Sequence, residues 1–131
     1  MPVYDSPEPL YKNLQTLFEA LRAQTPSPVE AMANARLLLR LQIADPAAEV
    51  TFDGRLHPVK IYYGNSHNLR PELDVSLTAD TLHKILLDEL SLKKAVATRQ
   101  VKVLGPVWKT NSLGLVLEQG RALYPQIFSQ Q

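Results

Sequence analysis

Apolar residues recur with the period of a helix through the first third of this chain and with the period of a strand after it. That change limits the fold more than any other feature. Val50 and Phe52 alternate with Glu49, Thr51 and Asp53, and Val59, Ile61 and Tyr63 alternate with Lys60 and Tyr62. Asp53-Gly54 is a strong hairpin dipeptide, so the two runs are predicted to pair antiparallel. A third strand alternates Leu73, Val75 and Leu77 with Asp74, Ser76 and Thr78. Such alternation belongs to a sheet with one wet and one covered face, because a parallel sheet buried on both faces reads as continuous apolar runs. The helices are therefore expected on a single face.

The first helix is predicted over 6–24, with Ser6 as cap, Pro7 at the first position and Leu10, Leu14, Leu17, Phe18 and Leu21 on one face. Thr25-Pro26-Ser27-Pro28 breaks it, and the capping-box spacing of Ser27 and Glu30 starts a second helix. Val29, Met32, Ala33 and Leu37 continue that helix, and Leu37-Leu38-Leu39 and Leu41 make it apolar on more than one side until Asp45-Pro46 ends it. After the third strand, Thr78 or Asp80 caps a helix carrying Leu82, Ile85, Leu86 and Leu90, and a short piece follows from Ser91. Val101-Lys102-Val103 is a fourth strand and Val107-Trp108-Lys109 a short fifth at an edge, where the neighbouring proline is tolerable. Asn111 or Ser112 caps a last helix to about Leu123. Gly120 on its apolar stripe marks close packing or ligand approach. The order is α-α-β-β-β-α-α-β-β-α.

Composition removes several function classes. With 131 residues the length favours one domain, read as 1–131 with 1–45 as an amino-terminal helical pair. There is no cysteine, so disulfides and thiolate metal sites are excluded. A net charge of +1 argues against a broad nucleic-acid surface, and no nucleic-acid partner is expected. No apolar stretch is long enough to span a bilayer, and Met1 to Pro9 carries Asp5 and Glu8 and lacks a secretory pattern, which reads as a soluble, cytoplasmic protein.

The second half carries a resemblance. Glu72-Leu73-Asp74-Val75-Ser76-Leu77-Thr78, the helix through Leu82, Ile85 and Leu86, Lys93 to Val96, Val101-Lys102-Val103-Leu104-Gly105 and Leu113-Gly114-Leu115-Val116-Leu117 together resemble the sterol carrier protein type two, or non-specific lipid-transfer, family over roughly residues 47–123. The resemblance implies an α+β fold with a five-stranded, mainly antiparallel mixed sheet. Helices would cover one face, enclosing an apolar tunnel for fatty acyl chains or sterols. The chain departs from the family where Glu89-Leu90-Ser91 and Thr98-Arg99-Gln100 stand in place of frequent glycines, and it does not end in a Ser-Lys-Leu-type tripeptide.

The residues that would line such a cavity are Phe52, Ile61, Tyr63, Val75, Leu77, Leu82, Ile85, Leu86, Leu90, Val96, Val101, Val103, Trp108, Leu113 and Leu117. Each fits a plain core equally well, because ligand pockets and filled cores use the same inward positions. Each acyl methylene taken from water contributes about 0.8 kcal/mol, so lipid binding needs a dry, shaped space and no catalytic group or cofactor. Tyr62, Arg99, Lys102 and Lys109 are the head-group candidates. Lys93, Lys94, Arg99 and Lys102 form a basic cluster suited to transient contact with a membrane surface. His57, His67 and His83 share no helical face and form no metal motif, and Ser66-His67 lacks a nucleophile elbow, so no catalytic or metal residue is assigned. The first helix can cover its own sheet or swap onto a neighbour, which makes a homodimer the further partner expectation. The leading reading is non-catalytic binding or transfer of a lipid; a ligand-free interaction or dimerisation module of the same fold is its rival, ahead of an enzyme acting on a small amphiphile.

Overall fold

The computed structural model describes residues 3–65 and 69–129, so Ser66 and His67 lie outside the described residues. The helices are α1 (Pro7–Arg22), α2 (Ala79–Leu86), α3 (Leu92–Ala97), α4 (Thr110–Gly120) and α5 (Tyr124–Ser129). The strands are β1 (Leu38–Ala44), β2 (Ala48–Asp53), β3 (Lys60–Tyr63), β4 (Leu73–Thr78) and β5 (Lys102–Leu104). They form one five-stranded sheet in the order β3-β2-β1-β4-β5. β1 and β4 run parallel and the other neighbours antiparallel, giving the mainly antiparallel mixed sheet expected.

The sheet is not built from the five strands the sequence suggests. Residues 38–44, read as the end of a second helix, are β1 at the sheet's centre, with Leu41 opposite both Val50 and Val75. The capping hydrogen bond from Glu30 N–H to Ser27 Oγ is present at 3.2 Å, yet the helix it opens is one 3₁₀ turn, Glu30–Ala33. Leu39, Leu41 and Ile43 face the core, and pairing on both edges of β1 outweighs the helix propensity of its leucines. The amino-terminal helical pair is thus one helix, one short turn and a strand. At the other end, Val107–Lys109 is a 3₁₀ turn and not an edge strand. Gly105 sits in the left-handed region (φ +120°), and a side chain there would collide with the Glu72 carbonyl oxygen, so the chain turns away from the sheet instead of continuing along it.

The core lies on one face. Leu10, Leu14, Leu17, Phe18 and Leu21 of α1 are fully buried, and the Phe18 ring meets Phe52 edge-on at 5.0 Å. In this chain the helix covers its own sheet. Gly120 is a packing position, since a Cβ there would lie 3.3 Å from Leu86 and 3.4 Å from Leu17. On the opposite face, Arg40 pairs with Asp74, which also accepts from Gln42 at 3.0 Å. Asp53 is nearly buried there, and the hydrogen-bonded Arg55 guanidinium holds its carboxyl below the usual range.

Chain segments far apart in sequence meet in a buried polar relay. Asn13 donates to Tyr4 Oη at 3.0 Å, Tyr4 and Tyr124 hydroxyls are 2.6 Å apart, and Tyr124 Oη lies 2.7 Å from His83 Nδ1. Every hydroxyl in the relay can donate onward only while Nδ1 accepts. Burial lowers the His83 pKa, against smaller upward pulls from Glu89 and Asp80. The unfolded chain therefore takes up this proton at higher pH than the folded one, so the contribution is complete above the ordinary imidazole range and declines as pH falls through it. Urea melts between about pH 7.5 and about pH 5.5 should show wild-type stability falling, and a shallower fall in His83→Gln. Equal slopes in the two proteins count against the assignment.

Candidate functional site

The covered face of the sheet is filled unevenly. Beneath α1, the β1–β3 side is packed around Phe18 and Phe52, and a more open cleft of about 570 Å³ lies at its outer edge, bordered by Glu19, Arg22, Pro58 and Ile61. Toward the β4–β5 edge the layers part and leave an open pocket of about 730 Å³, within the range of small-molecule sites. Its floor is buried: Val75 of β4, Ile85 of α2, Val101, and Leu113 and Leu117 of α4. Leu92 and Val96 of α3 and Val103 of β5 make half-buried walls. The rim is exposed and includes Lys93, Val107, Asn111, Leu115 and Glu118. Dryness thus increases from rim to floor, the gradient that suits a molecule with one apolar and one polar end.

Local structure fixes these walls. Thr78 caps α2 and Ser91 caps α3, each hydroxyl accepting at 3.1 Å from the N–H three residues on. α2 and α3 both end with a residue in the left-handed region, Asp88 and Arg99, each at φ 63°. Their returns are Glu89 N–H to Lys84 O and Gln100 N–H to Ala95 O, both at 2.9 Å. The Arg99 turn falls within Thr98-Arg99-Gln100, one of the two places where the resemblance would put glycine, and the Asp88 turn falls just before the other, Glu89-Leu90-Ser91. Lys109 Nζ, 2.7 Å from Glu72 Oε2, ties the 3₁₀ turn to the start of β4. Arg121 donates from Nε to the Ile85 carbonyl at 3.1 Å and pairs with Asp88, closing the α2–α4 side.

Of the fifteen residues expected around a cavity, Val75, Ile85, Val96, Val101, Val103, Leu113 and Leu117 meet at this pocket. Phe52 lies in the filled core, Ile61 borders the cleft at the β3 edge, and half-buried Tyr63 is edge-on to Tyr11 at 6.5 Å. Leu77, Leu82 and Leu86 are core, Leu90 is half-buried beside it, and Trp108 is 71% exposed. None of the head-group candidates Tyr62, Arg99, Lys102 and Lys109 lines the pocket. The polar groups that do include Lys93, Thr110, Asn111, Glu118 and Arg121. Asn111, Leu115 and Glu118 share one helix face, a spacing visible in the sequence that an apolar-stripe reading passes over. Among the described residues no cluster of three or more histidines or carboxylates could hold a metal ion, and no helix is long and apolar enough to cross a membrane.

Compared by sequence, the chain matches no protein-family model and no curated protein. Solved structures do match. The sterol carrier protein domain 2 of Helicoverpa armigera is 15% identical, covers 87% of this chain and 89% of its own, and superposes with a TM-score of 0.68. For apo sterol carrier protein 2 from Yarrowia lipolytica the figures are 14%, 86%, 89% and 0.63, and for palmitated SCP2L2 from Aedes aegypti 16%, 68%, 86% and 0.52. At these identities the likeness establishes architecture: the chain has a sterol carrier protein 2-type fold.

The left-handed turns give a test of the site's scaffold. A non-glycine residue in that region costs about 1–2 kcal/mol, and glycine's extra unfolded freedom returns about 0.5–1 kcal/mol of any gain. Arg99→Gly should therefore stabilise the protein by about 0.5–1 kcal/mol in urea denaturation. A loss of stability would mean that the arginine side chain contributes more than its backbone costs.

Proposed function

We propose that this chain is a non-catalytic lipid-binding or lipid-carrying domain, with residues 1–131 acting as one unit in the cytoplasm. A fatty acid, fatty acyl or sterol-like molecule would lie with its apolar part against Val75, Ile85, Val101, Leu113 and Leu117. The observation that carries this reading is the open, apolar-floored pocket of about 730 Å³ between the β4–β5 edge and α2, α3 and α4. Support comes from the shared fold with sterol carrier structures, one of them palmitated. Transfer from water drives the binding, at about 0.8 kcal/mol per buried methylene, and the polar end is left at the rim with Lys93, Asn111 and Glu118.

Val96 and Val103 are half-buried wall positions facing open space, so larger side chains can grow into the pocket without displacing core. Val96→Trp and Val103→Trp should each weaken binding of a fluorescent fatty acid at least about tenfold, equivalent to about 1.4 kcal/mol, with thermal stability nearly unchanged. Extraction and native mass spectrometry of the purified wild type should show bound lipid. Wild-type protein that carries no lipid and takes up no fluorescent fatty acid sinks the proposal and leaves the interaction module in its place.

A further inference from the structure

Charge on this chain is unevenly placed. Its net charge is +1, yet the segment from Leu90 to Leu117 has five basic residues, Lys93, Lys94, Arg99, Lys102 and Lys109, and no Asp or Glu. This acid-free segment supplies α3, β5, the 3₁₀ turn and most of α4, and so most of the pocket's wall and rim. Lys109 is engaged with Glu72. Lys93, Lys94, Arg99 and Lys102 form no ion pair among the described residues. Glu118 is the one carboxylate lining the pocket.

The same segment holds the most exposed large apolar residues described: Leu104 at 70%, Val107 at 59% and Trp108 at 71%. They fall within five consecutive residues, at the end of the edge strand and in the turn after it. Side chains exposed to this degree present most of their apolar surface to solvent, with Lys109 Nζ 5.2 Å from the centre of the Trp108 ring, and together they mark an exposed corner. Leu104, Val107 and Trp108 add nothing to the folded core, and apolar residues left in water singly are ordinary whereas a local concentration signals a binding surface. Val107 belongs both to the corner and to the pocket lining, so the two are continuous.

We propose that this corner is a docking surface for an anionic lipid bilayer. Leu104, Val107 and Trp108 enter the interfacial layer, while Lys93, Lys94 and Lys102, with Arg99 behind them, meet the head groups. Tryptophan at the level of the head groups, apolar neighbours reaching the acyl boundary and unpaired lysines around them are the combination such an interface favours. The inference rests on the lipid-carrier reading, because docking at this corner would set the pocket's rim against the membrane from which cargo comes.

Trp108 is the chain's one tryptophan, so its emission reports the corner alone. Vesicles of equal parts phosphatidylcholine and phosphatidylserine should shift that emission to the blue, and brominated acyl chains should quench it. Phosphatidylcholine alone or high salt should weaken both effects. Leu104→Ser and, by co-sedimentation, Trp108→Ser should reduce vesicle binding. Lys94→Gln and Lys102→Gln should each reduce it about fivefold, the loss of one basic contact. None of these four residues lines the pocket, so uptake of a fluorescent fatty acid in solution should be unchanged. Vesicle binding that is absent, or indifferent to all four substitutions, overturns the proposal even where fatty-acid uptake is normal. So does concentration-dependent self-association through Trp108 without vesicle binding, which would make a second copy of the chain the occupant. Failure of fatty-acid uptake in the wild type instead strikes the carrier reading on which the proposal rests.

Discussion

The fold depends on β1 being held from both sides. It pairs antiparallel with β2 through Leu38 to Ile43 and parallel with β4 through Leu39 to Ala44. Without it the β2–β3 hairpin and the β4–β5 pair would be separate two-stranded pieces, each marginal in water. The strand also places Leu39, Leu41 and Ile43 at the centre of the covered face, where they join α1 on one side and α2 and α4 on the other into one core. The outer face of the same strand carries Arg40 and Gln42, whose hydrogen bonds to Asp74 fasten β1 to β4 a second time.

That strand was also the hardest element to read in the sequence. The β2–β3 hairpin, β4 and α2 are legible because polar and apolar residues alternate cleanly or fall on one stripe. In β1 the alternation of Leu39, Leu41 and Ile43, which Leu37 leads into, is masked by Leu38, which is 5% exposed on the other face. Leucine is a strong helix former, and a preceding Ser-Pro-x-Glu pattern supplies a helix start that runs for only one 3₁₀ turn. The outcome is decided by partners remote in the chain. Residues 107–109 were obscured for a different reason: Val-Trp has strand composition, but the left-handed Gly105 and Pro106 redirect the backbone before a ladder can form.

The site was legible in part, and the division has a physical origin. Inward-facing residues look alike whether the opposing layer touches them or stands away. Over Phe52 the bulky face of α1, with Phe18 at its centre, fills the space. Over Val75 and Val103 the cover includes the short α3 and the part of α4 around Gly114, where a Cβ would lie 3.8 Å from Leu92. Helix length and side-chain bulk in the covering layer thus decide where an opening falls, and neither can be assigned to a strand position until the topology is known.

The edge position of β5 sets how readily the pocket changes shape. This strand is three residues long and is hydrogen-bonded to a neighbour on one side, while the wall facing it is a six-residue helix. Few backbone bonds need to open for either element to shift, whereas α1 lays five fully buried side chains against the sheet. Compliance is therefore concentrated in the walls of the pocket, so that a small displacement of β5 and α3 would change its girth and leave the central sheet unstrained.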